Sequence, residues 1–447
     1  MLPVNPLDAW TAEKIGRAGL FLSRADLLDH QLRQLRETVA WAKQRSPFYR
    51  RLLGGFDEAT LSSLDDLCRL PLTTADDLRR NDPSLLCVSQ SEISHVVTLE
   101  TSGTSGSPKR LFFSPQEQEA TIDFFDHGMR LPARAGDRVL IFFPGERLGS
   151  VGDLLARALE RLGATPIPFG WPHNLAVAAE ALYRERPDVV AGVPVPVLAV
   201  ARYAAASSVT SNHPPVRVRS VLLSADHAAG SLRRSLSNLW GCEVFDHYGM
   251  TEMGLGGGVD CAAHAGYHLR ESELLIEVVD PATGEPVAVG EFGEVVMTTL
   301  NRRGMPLIRY RTGDRSRLLP GACTCGSALA RLDRIDGRIG AEIPLGEAGN
   351  LTIAMLDEAV FGLDDIIDYE ASYESGTPPT LSVVLHVTDN TVGESACHAV
   401  SIALSRHPQI AAAVRAIGLR LAVAVSPSDG NLDVRGKRRI AMLNGER

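Results

Sequence analysis

Long apolar runs are missing from this sequence of 447 residues. The nearest candidate, residues 189–201, is short and contains Pro194 and Pro196, whereas a membrane-spanning helix needs about 20 apolar residues. The first residues also lack the basic end and apolar stretch that mark a secretory signal peptide. The sequence therefore predicts no membrane contact, and we expect a cytoplasmic location.

Basic residues and cysteines are also few. The 45 lysines and arginines are outnumbered by 54 aspartates and glutamates, which gives a net charge of −9. Nucleic-acid binding needs a basic surface, so this balance argues against nucleic acid as a partner. Seven cysteines in so long a chain are too few for a disulfide scaffold, as expected in a reducing compartment. With 45% hydrophobic residues, the composition is that of a globular protein with a packed core.

The N-terminal region has the pattern of an amphipathic helix. Ser23 and Asp26 have the spacing of a helix-capping pair. Apolar residues then recur on one helical face, at Leu28, Leu32, Leu35, Val39 and Ala42. Pro47 ends this run, because the residue before a proline avoids the helical conformation. The pattern predicts a helix that packs against a core.

Between residues 95 and 248, β-rich apolar runs alternate with helix-like stretches. The runs are residues 95–99, 138–143, 164–169, 188–193, 218–223 and 243–248. Such alternation predicts a mostly parallel sheet with helices on its faces. Ligands bind beyond the carboxyl ends of the strands in these sheets. The loops after residues 99 and 248 are therefore the first candidate sites.

The rest of the chain predicts two further units. From about residue 270 to residue 333, strand-like runs separated by glycine and proline turns predict a β subdomain. From residue 336 onward, the patterns indicate a smaller α+β domain. We therefore predict an α/β fold with a large N-terminal domain, residues 1–335, made of mostly parallel sheets and the β subdomain. Residues 336–447 would form the small C-terminal domain.

Residues 101–109, with the sequence TSGTSGSPK, directly follow the first predicted strand. Glycines let a backbone approach a polyphosphate closely, while N–H groups and hydroxyls donate hydrogen bonds to its oxygens. Lys109 adds a positive charge. The spacing does not fit a Walker A loop. The pattern predicts a phosphate-binding loop; the alternative is a flexible linker, although linkers seldom separate a buried strand from another apolar run.

This loop resembles the phosphate loop of the acyl-adenylate-forming (AMP-binding) superfamily, and further motifs follow in that family's order. They are the second signature DHYGMTE at 246–252, the β-subdomain motif GEFGEV at 290–295, the ribose motif YRTGD at 310–314 and the lysine loop at 429–440. Residues 35–53 resemble the phenylacetate–CoA ligase branch. The resemblance covers essentially the whole chain, and it implies that the small C-terminal domain is a mobile lid.

The resemblance implies a role for each matching residue. The ATP phosphates would be held by Thr101, Ser102, Gly103, Thr104, Ser105, Gly106 and Lys109. The adenine and the acyl-adenylate would contact Ala225, Asp226, His247, Tyr248, Gly249, Met250 and Thr251, the last of which would also serve catalysis. Residues 224–226 read Ser-Ala-Asp where relatives often have Gly-Ala-Glu, which shortens the carboxylate of this pocket.

Two carboxylates have implied roles. The family's signature glutamate binds Mg²⁺, which bridges phosphate oxygens, and this role falls to Glu252. Asp314 is implied to accept hydrogen bonds from the ribose hydroxyls. From the residues alone, Glu252 is also compatible with a surface carboxylate, and Asp314 with a turn cap after Gly313.

Lys437 matches the family's lysine that contacts the reacting carboxylate and the α-phosphate and stabilises charge in the transition state. Its neighbours Arg435, Arg438 and Arg439 leave a solvated basic run open as the alternative.

Arg334 and Asp336 match the arginine and the hinge aspartate of the junction at which family members rotate the small domain. The resemblance places Arg334 at the nucleotide, and Gly337 would ease the backbone change. An ordinary interdomain turn is the alternative for this segment.

Four residues on either side of the β subdomain could hold zinc. Cys323 and Cys325 lie two residues apart, and Cys261 and His268 precede the subdomain. Three cysteines and one histidine suit tetrahedral structural Zn²⁺, although the Cys-x-Cys spacing is uncommon. Members of the phenylacetate–CoA ligase branch resemble this arrangement, and some carry zinc. The alternative is a set of buried, reduced thiols.

The sequence therefore predicts an ATP-dependent acid–thiol ligase. With ATP and Mg²⁺ it would activate a small carboxylic acid, by analogy an aromatic one, as an acyl-adenylate. It would then pass the acyl group to coenzyme A.

Other readings remain. Residues 338–355 replace the Arg-Gly-x-Asn segment of the branch, so an amine or a protein thiol stays open as acceptor. A catalytically degenerate nucleotide-binding protein is a third hypothesis, against which Glu252, Asp314 and Lys437 argue. Relatives of this branch are often dimers, which leaves a homodimer open.

Overall fold

The computed structural model describes residues 5–19, 21–99, 108–211, 214–426, 430–432 and 438–443. The described residues form α-helices α1 Pro6–Lys14, α2 Arg24–Arg45, α3 Pro47–Leu52, α4 Ala75–Asn81, α5 Pro115–Met129, α6 Val151–Leu162, α7 Leu175–Glu185, α8 Pro194–Ser211, α9 Gly230–Trp240, α10 Ile353–Val360, α11 Gly393–Arg406 and α12 Pro408–Ile417.

The strands are mostly short. They are β1 His95–Leu99, β2 Lys109–Phe113, β3 Arg138–Phe142, β4 Thr165–Pro168, β5 Val189–Gly192, β6 Ser220–Ser224, β7 Glu243–Tyr248, β8 Gly258–Val259, β9 Tyr267–Leu269, β10 Leu274–Val279, β11 Gly293–Thr299, β12 Tyr310–Ser316, β13 Arg331–Leu332, β14 Gly337–Arg338, β15 Ile343–Pro344, β16 Asn350–Leu351, β17 Ile366–Glu374, β18 Thr380–Val387, β19 Arg420–Ser426 and β20 Ala441–Leu443.

The chain divides into two compact units. The first unit comprises Met1–Arg134, Leu148–Leu162 and Asp246–Ile339. The second unit comprises Ala135–Arg147, Gly163–Phe245 and Gly340–Arg447. The predicted division of the chain at residues 335 and 336 stays a prediction.

Four parallel strands organise the second unit, in the order β4-β3-β5-β6. β5 is buried along its whole length, as expected of a parallel strand with both faces covered. Residues of α7, α8 and α9 belong to the same hydrophobic core. The predicted parallel sheet with helices on its faces is confirmed here.

The strand at residues 95–99 is confirmed, but its predicted place in the parallel sheet is wrong. β1 pairs with β2 in an antiparallel hairpin of the first unit, with Leu99 opposite Lys109. A parallel neighbour would need a crossover of about a dozen residues or more. Since β2 begins ten residues after β1 ends, the chain returns antiparallel.

The apolar run at 189–201 is divided between two elements. It forms β5 and then the start of α8, a helix that we did not predict. Pro194 and Pro196 lie in the first turn of α8, where a proline costs no helical hydrogen bond. Among the described residues, no helix has both the length and the apolar character that crossing a bilayer requires.

A four-stranded sheet of order β19-β18-β17-β20 forms the C-terminal part of the second unit. β17 and β18 are antiparallel, while β19 and β20 each run parallel to their neighbour. Core residues of this sheet and of α10, α11 and α12 join those of the parallel strands in one cluster. The predicted α+β character of this region is confirmed.

Helix α2 of the first unit begins at its predicted cap, where the Ser23 hydroxyl accepts a hydrogen bond of 3.1 Å from the Asp26 N–H. Leu35, Val39 and Ala42 of the predicted face are buried, but the start of the face differs from the prediction. Leu28 is 41% exposed, whereas Leu27 is fully buried. Gln31 is also buried, because its side-chain amide donates hydrogen bonds to main-chain carbonyls of residues 271 and 274.

Antiparallel strands complete the first unit, in the order β10-β11-β12-β14. Alternate residues of β12 are buried, and they are Tyr310, Thr312, Asp314 and Ser316. A buried strand face is usually apolar. The buried face of β12 is made of polar side chains, so we expect functional residues on this strand.

Arg202 connects helix α8 to the C-terminal part of the second unit. Its side chain is 2% exposed, and it donates hydrogen bonds to the carbonyls of Phe361, at 2.8 Å, and Ile366. Replacement by alanine would remove both hydrogen bonds, although the Phe361 carbonyl would keep the one of 3.0 Å that it accepts from the Ser235 hydroxyl. We expect Arg202→Ala to lower the free energy of unfolding by about 2–4 kcal/mol, measured by urea denaturation. The exposed Arg184→Ala should stay within about 0.5 kcal/mol of the parent, and equal effects of the two would contradict this account.

Candidate active site

Lys109, Glu252 and Tyr310 form a buried cluster in the first unit. The Lys109 ammonium makes an ion pair with the Glu252 carboxylate and donates a hydrogen bond of 3.2 Å to the Tyr310 hydroxyl. The Tyr310 hydroxyl donates a hydrogen bond of 3.1 Å to the same carboxylate. The three residues come from the end of the predicted phosphate loop, the second signature and the ribose motif. The cluster thus brings together three motifs that lie far apart in sequence.

Glu252 is held as an anion although it is only 2% exposed. Burial alone would raise its pKa, but the Lys109 ammonium and the hydrogen bonds outweigh burial, and the pKa is lowered. Burial and the Glu252 charge raise the pKa of Tyr310, which keeps this phenol protonated and able to donate. The surface-carboxylate alternative for Glu252 is therefore wrong.

A second polar pair lies beside the first on β12. The Tyr248 hydroxyl donates a hydrogen bond of 3.0 Å to the Asp314 carboxylate. Burial and the Asp314 charge raise the pKa of Tyr248 well above its ordinary value. Arg338 of β14 lies 3.5 Å from the other Asp314 oxygen. Asp314 is buried, so its carboxylate is a positioned hydrogen-bond acceptor.

The turn that carries Glu252 depends on a close backbone approach. A Cβ atom at Gly249 would lie 2.2 Å from the Leu255 carbonyl oxygen, so only glycine fits. Met250 precedes a short 3-10 turn, Thr251–Met253, and Gly254 ends it in the left-handed conformation. This loop is placed directly after β7, where the sequence predicts a site.

Arg302 supports this turn and was not among the predicted residues. Its guanidinium donates hydrogen bonds to the carbonyls of Glu252, at 2.9 Å, and Phe112, at 3.0 Å. It therefore ties the strand after the phosphate loop to the signature turn. No motif marks Arg302, whereas Tyr310 could have been found as the first residue of the ribose motif.

Arg334 is placed between two buried carboxylates. It forms ion pairs with Asp246, at 2.6 Å, and Asp260, at 2.9 Å. Burial alone would lower its pKa, but these carboxylates raise it. The contact joins the junction motif to the first residue of the second signature; the predicted nucleotide role of Arg334 stays a prediction. Asp336 forms an ion pair with Arg315, and its hinge role also stays a prediction.

The other predicted contacts are distributed as follows. His247 packs against the rings of Phe124 and Phe125, with centroids 6.0 and 5.9 Å away, and burial lowers its pKa to about 4. Ala225 and Asp226 directly follow β6 in the second unit, where Ala225 has a φ of 75°. Such a φ is strained for alanine.

The predicted phosphate contacts at residues 101–106 and Lys437 lie outside the described residues.

Cys261, His268, Cys323 and Cys325 converge in the first unit. All four are buried, and their ligand atoms lie within 4.8 Å of one another. The sulfurs of Cys261 and Cys323 are 3.7 Å apart, and the Cys325 sulfur is 3.4 Å from Nε2 of His268. A tetrahedral zinc site requires about 3.8 Å between sulfurs and about 3.6 Å between sulfur and nitrogen.

The donor set also fits zinc chemically. Burial lowers the pKa of His268 to about 4, so its imidazole is neutral and able to coordinate. These residues would hold Zn²⁺ as a structural ion, because all four tetrahedral positions are protein ligands. Zinc binding stays a prediction.

Comparison with known proteins now identifies the family. A profile described as AMP-binding enzyme matches residues 76–301, about half of the chain. The chain belongs to the AMP-binding enzyme family. The predicted superfamily is therefore confirmed.

Two curated relatives place the chain on a branch of this family. The phenylacetate-coenzyme A ligase of Thermus thermophilus is 31% identical over 325 residues, which cover 71% of each chain. That of Pseudomonas putida is 30% identical over 318 residues, which cover 70% of each chain. The predicted phenylacetate–CoA ligase-like branch, and with it the prediction of an AMP-forming acid–thiol ligase, are confirmed.

A solved structure agrees with the fold. The crystal structure of 2-hydroxyisobutyryl-CoA ligase in the postadenylation state, in complex with 2-HIB-AMP, has a TM-score of 0.78 at 22% identity. The match covers 95% of this chain and 90% of that one. The predicted α/β fold class is confirmed by this likeness.

We expect one tightly held zinc ion per chain. Cys325→Ser should lose it, because a hydroxyl is a poor ligand in a sulfur site. Metal analysis of the untagged protein by mass spectrometry measures this, with Cys68→Ser, a cysteine outside the cluster, as the control that keeps its zinc. Protein purified from zinc-containing medium without bound zinc would contradict the prediction.

Asp314 should be the main determinant of ATP affinity on β12. Asp314→Asn removes a charged acceptor, and we expect the KM for ATP to rise about 10-fold or more. Tyr248→Phe removes one hydrogen-bond donor to the Asp314 carboxylate, and we expect a smaller rise in the KM for ATP, about threefold. Steady-state kinetics at varied ATP check both, with the exposed Asp29→Asn on α2 as the control. An unchanged KM in Asp314→Asn would remove Asp314 from the nucleotide site.

Proposed function

We propose that this protein activates a carboxylic acid with Mg-ATP as an acyl-adenylate and transfers the acyl group to coenzyme A. The observation that carries the proposal is the buried cluster of Lys109, Glu252 and Tyr310, with Tyr248 and Asp314 beside it. These side chains supply a paired cation, an ionised carboxylate and an acceptor for hydroxyls. Family membership supports the same reaction.

In the first half-reaction, a carboxylate oxygen of the acid bonds to the α-phosphorus of ATP. The bond from the α-phosphorus to its bridging oxygen breaks, and pyrophosphate leaves. Lys109 and the loop at 101–106 would hold the phosphates, and Asp314 would fix the ribose. Lys437 would stabilise the negative charge that develops on the α-phosphate.

Glu252 would hold Mg²⁺, since an ionised carboxylate oxygen is the ligand that this cation prefers. When bound, the ion would neutralise negative charge that develops on the phosphates.

In the second half-reaction, the thiol sulfur of coenzyme A bonds to the acyl carbon. The bond from that carbon to the phosphate oxygen breaks, AMP leaves, and the thiol proton passes to solvent. Activation as an adenylate makes this transfer possible, because AMP is a far better leaving group than the oxide of a free carboxylate. The curated relatives are named for phenylacetate, and we propose an aromatic acid as substrate.

Exchange of labelled pyrophosphate into ATP, dependent on the acid and without coenzyme A, tests adenylation. We expect a signal with aryl acids from a panel of aryl and aliphatic acids. Glu252→Gln and Lys437→Ala should each lower it about 100-fold or more, while the exposed Glu291→Gln leaves it unchanged. If the protein binds ATP but no acid of the panel supports exchange, the result would favour the hypothesis of a catalytically degenerate nucleotide-binding protein.

The acceptor needs its own experiment. We expect AMP formation with the active acid to accelerate when coenzyme A is added, with the acyl thioester found by mass spectrometry. Hydroxylamine, which traps acyl-adenylates, serves as the control for an intact first half-reaction. If coenzyme A leaves the rate of AMP formation unchanged and an amine or a carrier-protein thiol raises it, the acceptor is that amine or thiol and not coenzyme A.

A further inference from the structure

Arg438 directly follows Lys437 in the chain, and its guanidinium is enclosed within the second unit. Its side chain is 12% exposed. It forms ion pairs with Asp357, at 3.1 Å, and with Asp368, and both of these side chains are largely buried. Because either carboxylate would be left buried and unpaired without it, this arginine is held firmly. Arg438 is thus no part of a solvated basic run.

Two aromatic rings complete the enclosure. The guanidinium carbon lies 4.5 Å from the ring centre of Tyr369 and 5.1 Å from that of Phe361, within cation–π range. Tyr369 also donates a hydrogen bond of 2.6 Å to Asp357. The carboxylate that binds Arg438 is therefore itself fixed in place.

The chain is anchored on the other side of Lys437 as well. The N–H of Leu432 donates a hydrogen bond of 2.6 Å to the carbonyl of His173. The side-chain amide of Asn174 donates one of 3.2 Å to Asn431. The described residues on either side of Lys437 in the sequence, Leu432 and Arg438, are therefore each held by contacts within the second unit. Arg438 is the nearer of the two to the lysine.

We propose that Arg438 is a positioning residue for Lys437. The two carboxylates hold the side chain of Arg438, which directly follows the lysine in the chain. The inference rests on the proposed function, in which Lys437 stabilises the adenylation transition state. Adjacent Cα atoms are always about 3.8 Å apart, so a displaced Arg438 backbone displaces Lys437 with it.

The geometry of arginine explains why this residue type is present. A guanidinium presents several donors in a planar fork and can satisfy both carboxylates at once, whereas a lysine ammonium is a single point charge on a flexible stem. Arg438→Lys should therefore retain the charge and lose part of the positioning. Arg438→Gln should lose both.

The first test compares the effect of Arg438 variants on kcat with their effect on KM in pyrophosphate exchange. We expect Arg438→Gln to lower the kcat of adenylation about 10- to 100-fold, because small misplacements of a catalytic group have effects of this size. The KM values for ATP and for the acid should change less than about threefold, since Arg438 itself would bind neither substrate. Arg438→Lys should lie between Arg438→Gln and the parent. Arg420→Gln, an exposed arginine on β19, is the matched control and should behave as the parent.

A double variant separates positioning from general damage. If Arg438 acts through Lys437, Arg438→Gln should alter the residual rate by less than about twofold in the Lys437→Ala background. A full further loss there would overturn the proposal. So would parental kcat in Arg438→Gln, provided that Lys437→Ala is inactive. Parental activity in Lys437→Ala would instead refute the role of Lys437 in the proposed function.

Lysine labelling gives a readout that does not depend on turnover and also serves where Arg438→Gln folds poorly. The sequence has four lysines, at positions 14, 43, 109 and 437, so mass spectrometry can follow each one after brief acetylation. In the parent we expect ATP with the acid to protect Lys437, with Lys14 and Lys43 as internal references. Arg438→Lys should lose part of this protection, and equal protection in both proteins would overturn the proposal.

Discussion

The buried ion pair between Lys109 and Glu252 is the constraint on which the candidate site depends. A carboxylate removed from water costs several kcal/mol unless a cation and hydrogen bonds compensate it. Here one ammonium and one phenol supply that compensation. The strand after the phosphate loop, the signature turn and β12 must therefore meet at one point. Tyr310 on the buried face of β12 and the Arg302 hydrogen bond to the Glu252 carbonyl support this meeting point.

The sequence patterns predicted much of the fold because they report burial. The parallel strands and the α+β character of the C-terminal region were predicted from apolar patterns, and the cap of α2 was predicted from the spacing of Ser23 and Asp26. Periodicity did not reveal that β1 folds back on β2, since pairing depends on the length of the connection. It also missed α8, because two prolines in an apolar run look like an interruption when they lie in the first helical turn.

The site was predictable where a motif marks it and unpredictable where only packing does. Glu252 and Asp314 were found from their motifs, and both are buried polar groups. Arg302 lies outside any motif. It contributes two hydrogen bonds to main-chain carbonyls, and no spacing of residues in the sequence predicts them. Arg334 was recognised, but its two carboxylate partners were not. One of these, Asp260, is adjacent to Cys261, so the cysteine–histidine cluster and the start of the signature are physically contiguous.

Arg202 gives the second unit an attachment of a particular kind. Its guanidinium is bound by carbonyl oxygens rather than by carboxylates. Because the donor is charged, each such hydrogen bond contributes about 1.5–3 kcal/mol. A separated buried ion pair would leave charges that water must solvate in full. The carboxylates of Asp364 and Asp365 also act on Arg202 and favour its charged form, although burial has the larger effect and lowers its pKa. The C-terminal region is therefore held to the parallel strands of its unit by a shared hydrophobic core and by one buried cation within it.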